Sequence, residues 1–166
     1  MVVQHFFDPA TFTLTYVVHD PATRDAVVID PVLDFDPAGA RTSTASIERV
    51  AAYVREQGLR LPYVLETHAH ADHLSGSQYL RREFGARVAI GERITEVQRA
   101  FARTLDLPAD VPLDGSQFDR LLREGETLAA ASVTVRVLAT PGHTPACVSY
   151  LIGDAVFTGD ALFMPD

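Results

Sequence analysis

Apolar and polar positions alternate in short runs at the start of this chain, and only later does a helical period set in. Val2–Phe7, Leu14–Val18 and Ala26–Ile29 are rich in β-branched and aromatic residues. Asp-Pro-Ala-Thr turns at Asp8–Thr11 and Asp20–Thr23 separate them, which predicts three strands in an opening antiparallel meander. Pro31–Arg41 is punctuated by Asp, Pro and Gly and predicts a loop. Ile47, Val50, Ala51 and Val54 then fall at helical spacing, with Thr44 or Ser46 placed to cap the helix and Gly58 to stop it. Val64-Leu65-Glu66 predicts a strand, Ser75–Phe84 a helix ending at Gly85, and Arg87–Ile90 a short strand. Ile94, Val97, Phe101 and Leu105 mark a third helix, closed by Pro108. Asp110–Ser116 is turn-rich, and Phe118–Glu126 is an insertion with no period that assigns it. Val133–Ala139 and Cys147–Ile152 predict strong strands, and Ala155–Phe157 follows the Gly153-Asp154 turn as a hairpin partner. The order, strands then alternating helices and strands then strands, predicts an α/β mixed sheet with helices outside.

The bulk numbers narrow the class of protein. The 166 residues suffice for one domain with a real core, residues 1–166, and 47% apolar with 22% charged residues is an ordinary globular composition. The net charge of −8 disfavours nucleic acid and anionic membrane as partners, because their phosphates would be repelled. Cys147 is the single cysteine, which fits a reducing compartment; with no signal peptide visible at Met1–His5 and no long apolar stretch, a cytoplasmic location is expected. On its strand, Cys147 reads as a small buried hydrophobe and Tyr150 as core, while His5 and His19 read as ordinary surface or edge residues.

Three short runs carry the candidate chemistry. Thr67-His68-Ala69-His70-Ala71-Asp72-His73 concentrates imidazoles and a carboxylate, the ligands that suit zinc, iron and other first-row divalent metals. His68 and His70 share a face only in extended backbone, since helical metal histidines are spaced four apart. The run therefore falls past the C-terminal end of the strand Val64–Glu66, where sites in α/β folds gather. Thr140-Pro141-Gly142-His143-Thr144 follows the strand Val133–Ala139, and Thr158-Gly159-Asp160 follows Ala155–Phe157. Each candidate ligand thus stands at a strand exit, and strands of one sheet can bring such exits together. Asp30, before Pro31, reads on its own as a turn residue.

These three runs, in this order, resemble the metallo-β-lactamase superfamily, an αββα sandwich of metal-dependent hydrolases and oxidoreductases. The stretch Val28-Ile29-Asp30-Pro31 also matches its pattern, in which the aspartate supports the metal site from behind the ligands. Leu74-Ser75-Gly76-Ser77, Pro141–Tyr150 and Phe157–Phe163 are similar to the persulfide dioxygenases, and the long spacer between His73 and His143 resembles their bacterial β-lactamase-like hydrolase (Blh) group. That resemblance implies one Fe(II) held by His68, His143 and Asp160, with glutathione persulfide and O₂ as substrates and sulfite and thiol as products. His70, Asp72 and His73 would then orient and polarise the surroundings. In the glyoxalase II-like alternative, a thioester hydrolase carrying one or two Zn(II), His70 joins His68 and His143 at the first metal. Asp72 and His73 then hold the second metal, with Asp160 bridging. Members of the family continue beyond the point reached at Asp166, through more of the second lobe. That part supplies a further histidine for the second metal and residues for the glutathione moiety. The chain is therefore expected to lack the C-terminal part of that lobe, and an open sheet edge would favour a homodimer.

Overall fold

The computed structural model describes residues 1–163, so the chain end at Asp166 lies outside the described residues. Among the described residues, thirteen strands and three α-helices follow one another in the chain. β1 (Val2–Asp8), β2 (Thr13–His19) and β3 (Asp25–Ile29) form the expected antiparallel meander. After it come β4 (Val32–Asp36), β5 (Arg41–Ser43), α1 (Ala45–Glu56), β6 (Arg60–Glu66), β7 (Leu74–Ser75), α2 (Ser77–Phe84), β8 (Arg87–Gly91) and α3 (Ile94–Thr104). β9 (Arg120–Leu122), β10 (Thr127–Ala130), β11 (Val133–Ala139), β12 (Val148–Ile152), β13 (Ala155–Phe157) and a 3₁₀ turn at Gly159–Ala161 complete the order.

The strands form a six-stranded sheet ordered β1-β2-β3-β6-β8-β9, a four-stranded sheet β10-β11-β12-β13 and a small sheet β5-β4-β7. From β3 onward the large sheet is parallel, so β3, β6 and β8 all end at the same edge. Alternation along these strands builds two cores. Val27, Ile29, Tyr63 and Leu65 face the four-stranded sheet, where they meet Val135, Val137, Tyr150 and Phe157. Ala26, Val28, Leu61 and Val64 face the other way and pack against Ile47, Val50 and Val54 of α1 and Leu80 of α2. β11 shows the one-sided pattern of a sheet with one wet face: Val133, Val135 and Val137 are buried while Thr134 and Arg136 are exposed. Helices, six-stranded sheet and four-stranded sheet are thus stacked as layers of the expected sandwich. Among the described residues no helix is long and apolar enough to cross a membrane.

Four expectations need correction. Pro31–Arg41 is not a loop, because β4 lies within it and pairs with both β5 and β7. Its only adjacent apolar pair is Val32 and Leu33, and the strand ends on exposed positions, so no alternation announces it. The unassigned Phe118–Glu126 contains β9, the parallel edge strand beside β8. Helix α2 starts at Ser77 rather than Ser75, since Leu74 and Ser75 are taken up by pairing with β4. Helix α1 has Thr44 at its N-cap position as expected, but the Thr44 side chain makes no capping hydrogen bond; Asp34 of β4 instead accepts hydrogen bonds from Ser46 N at 2.8 Å and Ser46 Oγ at 2.6 Å.

A candidate metal centre at the strand exits

His68 follows β6 directly, His143 lies in the turn between β11 and β12, and Asp160 sits in the 3₁₀ turn after β13. The two sheets meet here. Val148 N donates to Thr67 O at 3.0 Å and Tyr150 Oη donates to Glu66 O at 2.7 Å, which pins β12 to the end of β6. His68 Nε2 and His143 Nε2 lie 3.7 and 3.6 Å from Asp160 Oδ2. One donor atom from each of the three lies within 4.8 Å of the others, spacing that one ion could bridge. His70, Asp72 and His73 form a second group by the same measure. The structure therefore brings together all six predicted ligand residues in two adjoining groups, with the His68 and His70 rings 4.1 Å apart between centroids.

Behind His68 a hydrogen-bonded chain decides which ring nitrogen faces the site. Asp30 has a positive φ of 49°, a backbone conformation that Asp tolerates better than most residues. Its carboxylate accepts from Thr67 N and Thr67 Oγ1, each at 2.7 Å. The Thr67 hydroxyl gives its one proton to that carboxylate, so it accepts from His68 Nδ1, 2.9 Å away. His68 therefore carries its proton on Nδ1 and turns the Nε2 lone pair outward. Burial pushes the His68 pKa down to about 4, helped by the charge on neighbouring His70, so the ring is neutral at physiological pH.

His70 is the charged counterpart. Its Nε2 lies 3.2 Å from Asp30 Oδ1 and 3.4 Å from Glu66 Oε2, between two buried carboxylates. Burial alone would lower its pKa, but the two carboxylates outweigh it and raise the value to about 10. Burial likewise pushes Asp30 up, and the bonds from His70 and Thr67 reverse this and hold it below the usual carboxylate range. With Nε2 committed to the carboxylates, Nδ1 is the His70 nitrogen that could face a metal, on loss of its proton. The ring stacks on His73 at 4.1 Å between centroids.

Two buried ring nitrogens of the site, His68 Nε2 and His73 Nε2, have no hydrogen-bond partner among the described residues. His73 Nδ1 donates to Leu74 O at 3.0 Å, so its Nε2 is also a bare lone pair. Leaving such an acceptor unpartnered costs about 1–3 kcal/mol. Neutral imidazoles with the distal nitrogen tied back and the other free are the form that ligates metals. The donor set fits a divalent metal. A cavity of about 310 Å³ lined by Glu66, His68, His70, His73 and Gln117 lies on one side. A groove of about 630 Å³ between Asp8, Phe35, Asp72 and Leu74 opens on the other.

Three contributors escape the sequence pattern. Thr67 enters it only as part of the histidine run, although its hydroxyl selects the His68 tautomer. Gly159 has φ +49°, and a Cβ there would lie 2.8 Å from Thr67 Cβ, so only glycine lets β13's exit close onto β6's exit. Glu66 carries a readable signal: a carboxylate ending a strand buried on both faces must have partners. Asp30 proves to be both a turn residue and a support for the site.

The chain belongs to the metallo-beta-lactamase superfamily, whose domain matches residues 8–166. Among its relatives is a probable metallo-hydrolase of Burkholderia pseudomallei, 45% identical over 100% of this chain and 60% of its own length. Glyoxylase B2 of Dictyostelium discoideum is 45% identical over 90% of this chain and 52% of its own. The human mitochondrial persulfide dioxygenase ETHE1 is 33% identical over 99% of this chain and 54% of its own. The crystal structure of ETHE1 from Myxococcus xanthus superposes with a TM-score of 0.74 at 35% identity, covering 99% of this chain and 59% of that one. The chain thus spans between half and two thirds of the length of these relatives.

Proposed function

We propose that the protein is a mononuclear Fe(II) persulfide dioxygenase, acting on glutathione persulfide or a related small persulfide. The observation that carries this reading is the triad of His68, His143 and Asp160, whose donor atoms lie within 4.8 Å of one another. Two imidazoles and one carboxylate able to share one ion is the ligand pattern of non-haem Fe(II) oxygenases. The relationship to ETHE1 supports it. Iron held there would supply a redox-active centre with open positions for a sulfur and for O₂.

The residues of this chain do the rest. His68, fixed by Thr67 and Asp30, presents a neutral nitrogen; His143 and Asp160 close the triad from the second sheet. His70, held between Asp30 and Glu66, lines the cavity beside the triad and helps to position what binds there. In the net reaction one persulfide, one O₂ and one water give one sulfite, one thiol and two protons. Holding the reactants side by side converts a collision into a local reaction.

A second reading, a binuclear thioester hydrolase carrying zinc, is favoured by the His70, Asp72 and His73 group and by the relationship to glyoxylase B2. Measuring O₂ uptake and sulfite together separates the two, using protein loaded anaerobically with Fe(II) and given glutathione persulfide. Matched uptake and sulfite are expected. Hydrolysis of a glutathione thioester by the zinc-loaded protein, with no O₂ uptake by the iron-loaded one, overturns the dioxygenase reading.

A further inference from the structure

Glu66 is an anomaly in its strand. Its neighbours in β6 are apolar, its side chain is only 4% exposed, and one carboxylate oxygen, Oε2, has no hydrogen bond among the described residues. The other oxygen, Oε1, accepts from Ser75 Oγ, which in turn accepts from Ser77 N at 3.0 Å. Glu66 and Ser75 stand nine residues apart, at the two ends of the loop that carries His68, His70, Asp72 and His73. Their bond therefore closes that loop at its base. The free oxygen lies 3.4 Å from His70 Nε2, on the ring nitrogen that also meets Asp30.

We propose that Glu66 is a positioning residue: clamped by Ser75, its carboxylate holds the His70 ring against Asp30 and so sets how His70 faces the metal centre. The geometry explains why a buried carboxylate is present where an apolar residue would otherwise pack. Asp30 alone is shared among Thr67 N, Thr67 Oγ1 and His70, so a second carboxylate 3.4 Å from the same ring nitrogen adds a restraint that Asp30 does not supply. Ser75 matters because a Glu side chain has several rotatable torsions, and one anchored oxygen removes most of that freedom.

The inference rests on the metal-centre reading but on neither choice of reaction, and its test needs no turnover. Ring-labelled histidine would be followed by NMR in metal-free wild type, Glu66→Gln and Ser75→Ala, and each protein then loaded with Co(II) for its visible spectrum. In wild type the His70 Nε2 proton is expected to be far downfield and slow to exchange. Glu66→Gln keeps the shape and removes the charge. It should shift that proton, speed its exchange about tenfold through loss of one charge-assisted interaction, and alter the Co(II) spectrum. Placing His70→Ala in both the wild-type and the Glu66→Gln backgrounds should abolish the spectral difference between them, since Glu66 acts only through that ring. Ser75→Ala should move the same signals less, and it decides the matter if Glu66→Gln does not fold. An unmoved His70 proton and an unchanged Co(II) spectrum would mean that Glu66 only shapes the loop, and would overturn the proposal. A failed persulfide assay would leave these readouts intact.

Discussion

The two halves of the candidate ligand set are built differently. His68 and His70 rise from the centre of a doubly covered parallel sheet, with side chains 1% and 6% exposed. Asp30, Thr67 and Glu66 crowd behind them. His143 and Asp160 stand on turns of the outer sheet, 39% and 36% exposed. Asp160 is the charged group nearest the His143 ring, whereas His70 meets two buried carboxylates. The difference separates two tasks that a metal site must perform. The buried half is pre-organised by the fold and shares its stability; the open half completes the ligand set and risks little of the fold.

Asp30→Ala strikes the buried half hardest. It strands Thr67 N and a charged His70 in the interior and should destabilise the metal-free protein by about 4 kcal/mol, read from urea unfolding, while weakening metal binding as well. Next comes a crossed pair under the mononuclear reading. His70→Ala leaves two buried carboxylates facing each other, so it should cost about 3 kcal/mol yet keep most Fe(II) binding. His143→Ala should change stability by no more than about 0.5 kcal/mol and abolish Fe(II) binding. Equal metal loss in both variants, measured by iron content after gel filtration, would break the division.

Gly159→Ala sits at the seam between the halves. Thr67 is held in place by Asp30 and cannot step aside, and the positive φ adds strain, so a loss of about 2 kcal/mol is expected in thermal unfolding. The smallest effect lies at His19, which is not the surface residue expected from the sequence but is 4% exposed, beside Tyr53 of α1. Burial pushes the His19 pKa below its ordinary 6.5, so the folded state binds fewer protons than the unfolded one. Its contribution is complete above pH 6.5 and is lost as the pH falls below it. His19→Gln should therefore show a shallower loss of stability on acidification than wild type, while leaving metal binding alone.

Legibility in the sequence follows the same division. The candidate ligands are legible because imidazoles and carboxylates are dense in their runs and each run follows a strand. The meander and the four-stranded sheet's core strands are legible too, the latter because Val133, Val135 and Val137 alternate with wet positions. β4 is not, since Asp34 and Asp36 look like turn residues when their pairing with β5 and Asp34's hold on the start of α1 are unseen. The supports of the buried half are hardest. Thr67's role exists only through Asp30, 37 residues away, and Glu66's only through Ser75 and His70. Pairwise geometry of that kind leaves no period in a chain.

The bonds that pin β12 to β6 also have a meaning for how the molecule assembles. Tyr150 and Glu66 are 84 residues apart, and the triad itself joins positions 68, 143 and 160. No local segment of the chain can gather the triad, so its three donors come together only when both sheets are in place. Contacts of such long sequence separation form late, after the loops between them have been closed at an entropic cost. A metal held by the triad would then report the joining of the two sheets, and its binding free energy would favour that late step of folding.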